Sequence, residues 1–171
     1  MAIYISENAF ITLTLSAIET STKYEASGIL MGYQVENVYY IENVIPYQVA
    51  ERTASSIHVP RGKRERIRRI FGKYMKYQII GEFHTHPEGE INLSREDKDF
   101  IRSSDYELEV VVAIEITDSS CPWDYQKGVL SGSIDKYIVK IAGWKVEREK
   151  ITKQTIRCPY AVGFDFSEPF K

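Results

Sequence analysis

The sequence is sparing with cysteine. Only Cys121 and Cys158 occur in 171 residues, with no CxxC spacing, which is too few for a disulfide framework and leaves a single bridge between them as the alternative to free thiols. Two unpaired thiols in a reducing compartment are the expectation. Long hydrophobic runs are absent too. The longest aliphatic stretch, Val110 to Ile114, is far too short to span a bilayer, and Met1 to Glu7 has neither the basic start nor the apolar core of an export signal. A cytoplasmic protein with no membrane partner is therefore expected. No HExxH, GxSxG, Walker A or GxGxxG motif is present, and no PCxxC accompanies the histidines, which argues against a nucleobase deaminase site. Repeats, linkers and low-complexity tracts are lacking as well.

What remains is the composition of an ordinary globular domain, 43% hydrophobic and 27% charged, long enough to bury a sizeable core. The net charge of −2 conceals one asymmetry. Between Pro60 and Lys76 stand Arg61, Lys63, Arg64, Arg66, Arg68, Arg69, Lys73 and Lys76, against the single acid Glu65. A solvated helix face is the commonest meaning of such a stripe. A dock for an acidic protein partner is the sharper reading. Nucleic-acid binding has less behind it, because the chain as a whole is not basic and shows no recognised nucleic-acid motif.

Ile3 to Ile5 reads as a short strand, and Ser6 caps a helix from Glu7 to about Ser21 with Phe10, Leu13, Ala17 and Ile18 inward. Gly28 to Gly32 looks like a buried strand whose glycines permit close backbone approach. Val38 to Ile45 forms the next, after a turn at Glu36-Asn37. Pro46 to His58 is loop-like; Pro60 then opens a helix with Ile67, Ile70, Phe71 and Tyr74 on one buried face. Tyr77 to Phe83 is a strand that runs into His84-Thr85-His86-Pro87. A further helix follows Ser94 and ends near Ser103. Glu109 to Ile116 and Tyr137 to Val146 are strands, and Asp118 to Gln126 is a loop. Alternating helices and strands predict a single α/β domain, with a mixed β-sheet flanked by helices. Residues 1–150 form that domain, and 151–171 are a C-terminal extension with no assigned structure.

The chemistry concentrates after the strand at residue 83. His84 and His86, two apart on a strand, point to one face about 6.6 Å apart along it, so their imidazoles can converge on one ion. Asp97, eleven positions later on a first helical turn, can fold back and add an oxygen ligand. Three protein ligands and one open position are the pattern of catalytic zinc rather than structural zinc. Ser94 and Asp97 also have the spacing of a helix capping box, a reading compatible with the first. Glu25, an acid entering the apolar strand Ala26 to Gly32, is costly to bury without a partner. Glu88 and Glu90 read as a solvated acidic loop, and His58 as a loop histidine. Cys121-Pro122-Trp123 lies in a loop, with no base placed to activate the thiol.

Taken together, Glu25-x-x-Gly28-x-Leu30-x-Gly32, then Gly81-x-x-His84-Thr85-His86-Pro87, then Ser94-x-x-Asp97 resembles the JAMM/MPN-plus metalloprotease family. The likeness is specific from Glu25 to Asp97 and looser from Glu109 to Glu147. It departs at Ser27, Ile91 and Leu93, none of which is a catalytic group. The resemblance implies a cytidine-deaminase-like fold and one Zn2+ held by His84, His86 and Asp97. It implies Glu25 as the base that activates water and Ser94 as the donor to the oxyanion. The implied reaction is hydrolysis of a peptide or isopeptide bond at the C-terminal tail of a ubiquitin-like or sulfur-carrier protein. A non-catalytic binding scaffold on the same fold is the alternative.

Overall fold

The computed structural model describes residues 2–21, 23–48, 51–52, 57–58, 60–74 and 77–163. Its elements are β1 (Ala2–Ile5), α1 (Glu7–Thr20), β2 (Ser27–Val35), β3 (Val38–Pro46), β4 (Glu51–Arg52), β5 (Ile57–His58), α2 (Arg61–Tyr74), β6 (Gln78–His86), α3 (Arg95–Ser103), β7 (Leu108–Ile116), β8 (Asp124–Gln126), β9 (Val129–Ile134), β10 (Tyr137–Glu147), β11 (Lys150–Arg157) and α4 (Pro159–Gly163). Among the described residues no helix is long and apolar enough to cross a membrane.

Strand order in the main sheet is β11-β1-β3-β2-β6-β7-β10-β9-β8, and β11 also pairs with β10. That second pairing closes seven strands, β11 through β10, into a barrel. The closure overturns the expected α/β layering, with a mixed sheet flanked by helices: the chain is mostly strand, and its four described helices are short. The cause lies in two segments. β10 is eleven residues long, enough to pair with β9 through its first half and β11 through its second. β11 then lies parallel to β1, which brings the two ends of the sheet together.

α1 begins where Ser6 caps it, the hydroxyl accepting from Ala9 N at 3.2 Å. The helix is rich in hydroxyl residues, and the buried Ser16 and Thr20 are satisfied because each donates to the carbonyl four residues back. Its Phe10, Leu13 and Ala17 share a core cluster with Leu30 of β2, Phe83 of β6, Val110, Val112 and Ile114 of β7, and Val139 and Ile141 of β10. Trp123 belongs to this core, edge-on to Phe10 at 4.8 Å. β2 fits only because Gly28 has no side chain; a Cβ there would lie 2.3 Å from the Ile45 carbonyl oxygen.

The other face of these strands carries two smaller clusters. Ile29 and Met31 of β2 meet Tyr47, with Ile67 and Phe71 of α2 partly buried over them. Ile70, expected on that buried face, is instead 43% exposed. The side chain of Tyr74 lies outside the described residues, as does that of His58. Leu93 and Ile101 pack on Val111, Ala142 and Trp144, which pins α3 and its approach against β7 and β10.

Candidate metal centre

Strand alternation places Glu82, His84 and His86 on the outer face of β6 and Gly81, Phe83 and Thr85 on the inner. The neighbouring strands run in opposite senses. β2 is antiparallel to β6 with Ser27 opposite His84, and β7 is parallel with Val111 opposite His84. Beyond the last ladder pair, Ala26 and Thr85 hold the strands together. Thr85 N donates to the Ala26 carbonyl at 2.8 Å, and Ala26 N donates to Thr85 Oγ1 at 2.7 Å. Glu25 is thereby fixed beside the end of β6.

His84, His86 and Asp97 converge. Their ligand atoms lie within 4.8 Å of one another, a group that could hold a metal ion. His84 Nε2 is 3.0 Å from His86 Nε2, 3.4 Å from Asp97 Oδ1, and His86 Nε2 is 3.5 Å from Asp97 Oδ2. The opposite ring nitrogens settle what these atoms offer. His84 Nδ1 lies 2.7 Å from Glu109 Oε1, and His86 Nδ1 lies 2.7 Å from the Glu90 carbonyl oxygen. Each Nδ1 faces an acceptor and so carries a proton; when the ring is neutral its Nε2 presents a lone pair to the cluster. Two lone pairs and a carboxylate in mutual contact repel unless a cation or a proton sits among them. The donor set therefore fits a divalent ion, with the outer hydrogen bonds that ligating histidines require.

Asp97 is held in place by the cap of α3. Ser94 Oγ accepts from Asp97 N at 3.0 Å, and Asp97 Oδ2 accepts from Ser94 N at 2.7 Å. The capping box and the ligand cluster thus use the same two residues at once. The cap employs a lone pair of the Ser94 hydroxyl and leaves its proton available. Gly89, at φ +75°, makes the turn after Pro87 that returns the Glu90 carbonyl to His86.

Electrostatics follow from this packing. Burial opposes ionisation of Asp97, but hydrogen bonds from His86 and Ser94 and the charge of His84 outweigh it, and the carboxyl is held well below the usual carboxylate range. Burial likewise disfavours a charged His84, yet Glu109, Asp97 and Glu25 together raise its pKa. Glu25 is raised chiefly by burial and further by Asp97 and Glu96, with His84 and His86 pulling the other way. All five residues singled out in the sequence, Glu25, His84, His86, Ser94 and Asp97, therefore fall in one neighbourhood.

One member was missed. Glu109 is 2% exposed and bonds to His84 across the β6–β7 pair. Its signal in the sequence was slight, a lone acid in the apolar run Leu108 to Ile114. Glu88 and Glu90 have exposed side chains, as a solvated loop requires. The basic stripe divides. Arg64 is ion-paired with buried Glu82, which also accepts from Tyr47 Oη at 3.0 Å, and its guanidinium lies 5.0 Å from the Phe100 ring. Arg68 pairs with Asp105 and lies over Tyr106. Arg66, Arg69 and Lys73 are exposed, whereas the Arg61 side chain and Lys76 lie outside the described residues. Cys121 and Cys158 are both free thiols.

No family model matches the chain, and no curated protein does. Among solved structures, the chain is similar to the solution structure of protein DSY2949 from Desulfitobacterium hafniense. The TM-score is 0.57 at 16% identity, over 91% of this chain and 92% of that one. The likeness is one of fold.

Proposed function

We propose that this protein is a zinc-dependent amide hydrolase of the JAMM/MPN-plus kind, with His84, His86 and Asp97 as metal ligands, Glu25 as general base and Ser94 as oxyanion donor. The observation that carries the reading is the convergence of two imidazoles and one carboxylate, with Glu25 preceding Ala26, which is hydrogen-bonded to Thr85 between the two histidines. Two nitrogens and one oxygen, with no fourth protein ligand among the described residues, match the open donor set of catalytic zinc. When bound, the ion supplies Lewis acidity towards the scissile carbonyl and towards water.

The chain's own groups do the rest. Glu25 accepts a proton from water as its oxygen bonds to the carbonyl carbon. It returns that proton to the amine nitrogen as the C–N bond breaks. A carboxyl whose pKa is raised by burial is better matched to both transfers near neutral pH. Ser94 donates its unused hydroxyl proton to the oxygen that gains charge. Asp97, kept ionised, anchors the ligand set.

The proposed substrate is the flexible C-terminal tail of a ubiquitin-like or sulfur-carrier protein, joined through a peptide or isopeptide bond. That choice rests on the motif resemblance. The exposed Arg66, Arg69 and Lys73 on α2 suit an acidic protein partner. We assign the reaction to the cytoplasm on the sequence's sparing use of cysteine.

The test is metal analysis coupled to cleavage of ubiquitin-like fusions, with wild type beside Glu25→Gln. Cleavage is expected to require zinc and to fall by at least about 10²–10⁴-fold in the variant, while folding and zinc content persist. Undiminished cleavage by Glu25→Gln removes the assigned base. Protein that takes up no zinc removes the hydrolase and favours a binding scaffold.

A further inference from the structure

We propose that Glu109 is a positioning residue for this centre, accepting the Nδ1–H of His84 so that the Nε2 lone pair is aimed at the metal and made a stronger donor. The inference rests on the metal-centre reading above and concerns a residue outside its ligand and base set.

Placement carries the first part of the case. β6 and β7 are parallel, with Glu82 opposite Glu109 and His84 opposite Val111. Glu109 therefore sits diagonally from His84 on the same outer face and reaches its ring at 2.7 Å. A residue on β6 could not do this, because its same-face neighbours, Glu82 and His86, lie along the strand rather than beside the ring.

The cost of the arrangement carries the second part. Glu109 is almost fully buried, and among the described residues His84 is its single hydrogen-bond partner. Arg64 is committed to Glu82, which stands opposite Glu109 and is itself an unfavourable neighbour for a second carboxylate. Leu108 and Val110 flank the position on the same strand, and an apolar residue of similar size would serve the fold as well or better. What an apolar residue could not do is hold the imidazole in one tautomer and orientation.

The contrast with His86 sharpens the role. His86 has the same Nδ1 contact, at the same 2.7 Å, but to a main-chain carbonyl. A carboxylate acceptor bonds more strongly than a neutral carbonyl. His84 is accordingly the dominant nitrogen ligand, and Glu109 is the side chain that makes it so.

The experiment compares full-length wild type, Glu109→Gln and Glu109→Leu by zinc titration against a chromophoric chelator. NMR detection of the imidazole N–H protons of the zinc-loaded proteins accompanies it. Zinc affinity is expected to fall about 10–100-fold in Glu109→Leu, the range for loss of such outer partners. Glu109→Gln should lie between, because its amide oxygen still accepts the Nδ1–H. The His84 Nδ1–H resonance should be protected from exchange in wild type and lost in Glu109→Leu. If Glu109→Leu binds zinc as tightly as wild type and keeps that resonance, the Glu109 role is overturned while the metal centre stands. If wild type binds no zinc, the centre falls and the inference with it. Should Glu109→Leu fail to fold, an unchanged zinc affinity in Glu109→Gln overturns the role.

Discussion

Phe83 and His84 are neighbours in the chain, yet they belong to two different kinds of protein interior. Phe83 faces inward, fully buried in the cluster that α1 closes, and its contribution is area removed from water. His84 faces outward into a shell that is nearly as dry, but its ring nitrogens make polar, directed contacts with Glu109 and His86. Burial of similar depth thus stabilises on one face of β6 and costs on the other. The outer face keeps charges that the fold does not need, and that surplus is where chemistry is to be sought. The largest effect should come from the inner face. Phe83→Ala removes a ring from a packed core and is expected to cost about 3–5 kcal/mol in urea unfolding. The fraction that remains folded should bind zinc unchanged. A variant that kept full stability but lost zinc would break the distinction between the faces.

Ser94 tests whether structure and chemistry can be separated on the outer side itself. The residue caps α3 and also stands beside the donor set. Glycine is nearly as good at an N-cap, so Ser94→Gly should lower stability by only about a few tenths of a kcal/mol. Loss of an oxyanion donor lowers kcat by about 10²–10³-fold. The expected result is therefore a large fall in turnover with little change in unfolding midpoint. Equal, small losses in both would mean that Ser94 serves the helix alone.

The two faces were also unequally legible in the sequence. Local signals served well where a residue's task is local: Ser6 and Ser94 as caps, the alternation that puts His84 and His86 on one face, and the apolar periodicity of Phe10, Leu13 and Ala17. They failed where the task depends on a distant partner. Glu109 is 25 positions from His84 and meets it only through the parallel β6–β7 register. Barrel closure depends on β11, whose Lys150, Lys153, Gln154 and Arg157 disguise a strand that buries Ile156 between β1 and β10. On α2, heptad-like spacing put Ile70 inward, but Arg64 and Arg68 turn towards Glu82 and Asp105 and rotate the helix accordingly. Counter-charges, the buried Glu82 and the exposed Asp105, outweighed the apolar pattern there, and they lie outside the helix. Trp123 lies in a loop as expected, but nothing local in the sequence shows that it packs across Gly132, which has no side chain to obstruct it, and joins the core.

The smallest effect, and the one that bears most directly on the surplus charge, is the dependence of stability on pH. In metal-free protein Asp97 has a depressed pKa, so its contribution is present above the ordinary value of 3.8 and lost as pH falls through the folded one. His84 has a raised pKa; its contribution is complete below 6.5 and lost as pH rises through the folded value. Glu25 and Glu109 are raised by burial, so ionising them costs more in the folded state, and stability falls as pH climbs from 4.5. Together these shifts put the metal-free optimum on the acid side of neutrality. Zinc reverses the slope, because it binds the deprotonated imidazoles and displaces the proton that His84 retains. The increase in unfolding temperature on adding zinc should therefore be small near about pH 5 and grow steadily to about pH 8. Thermal unfolding at several pH values, with and without zinc, checks this. A zinc effect that shrank with rising pH would mean that the outer-face charges bind protons in preference to metal, and the contrast between the two faces of β6 would then be one of packing alone.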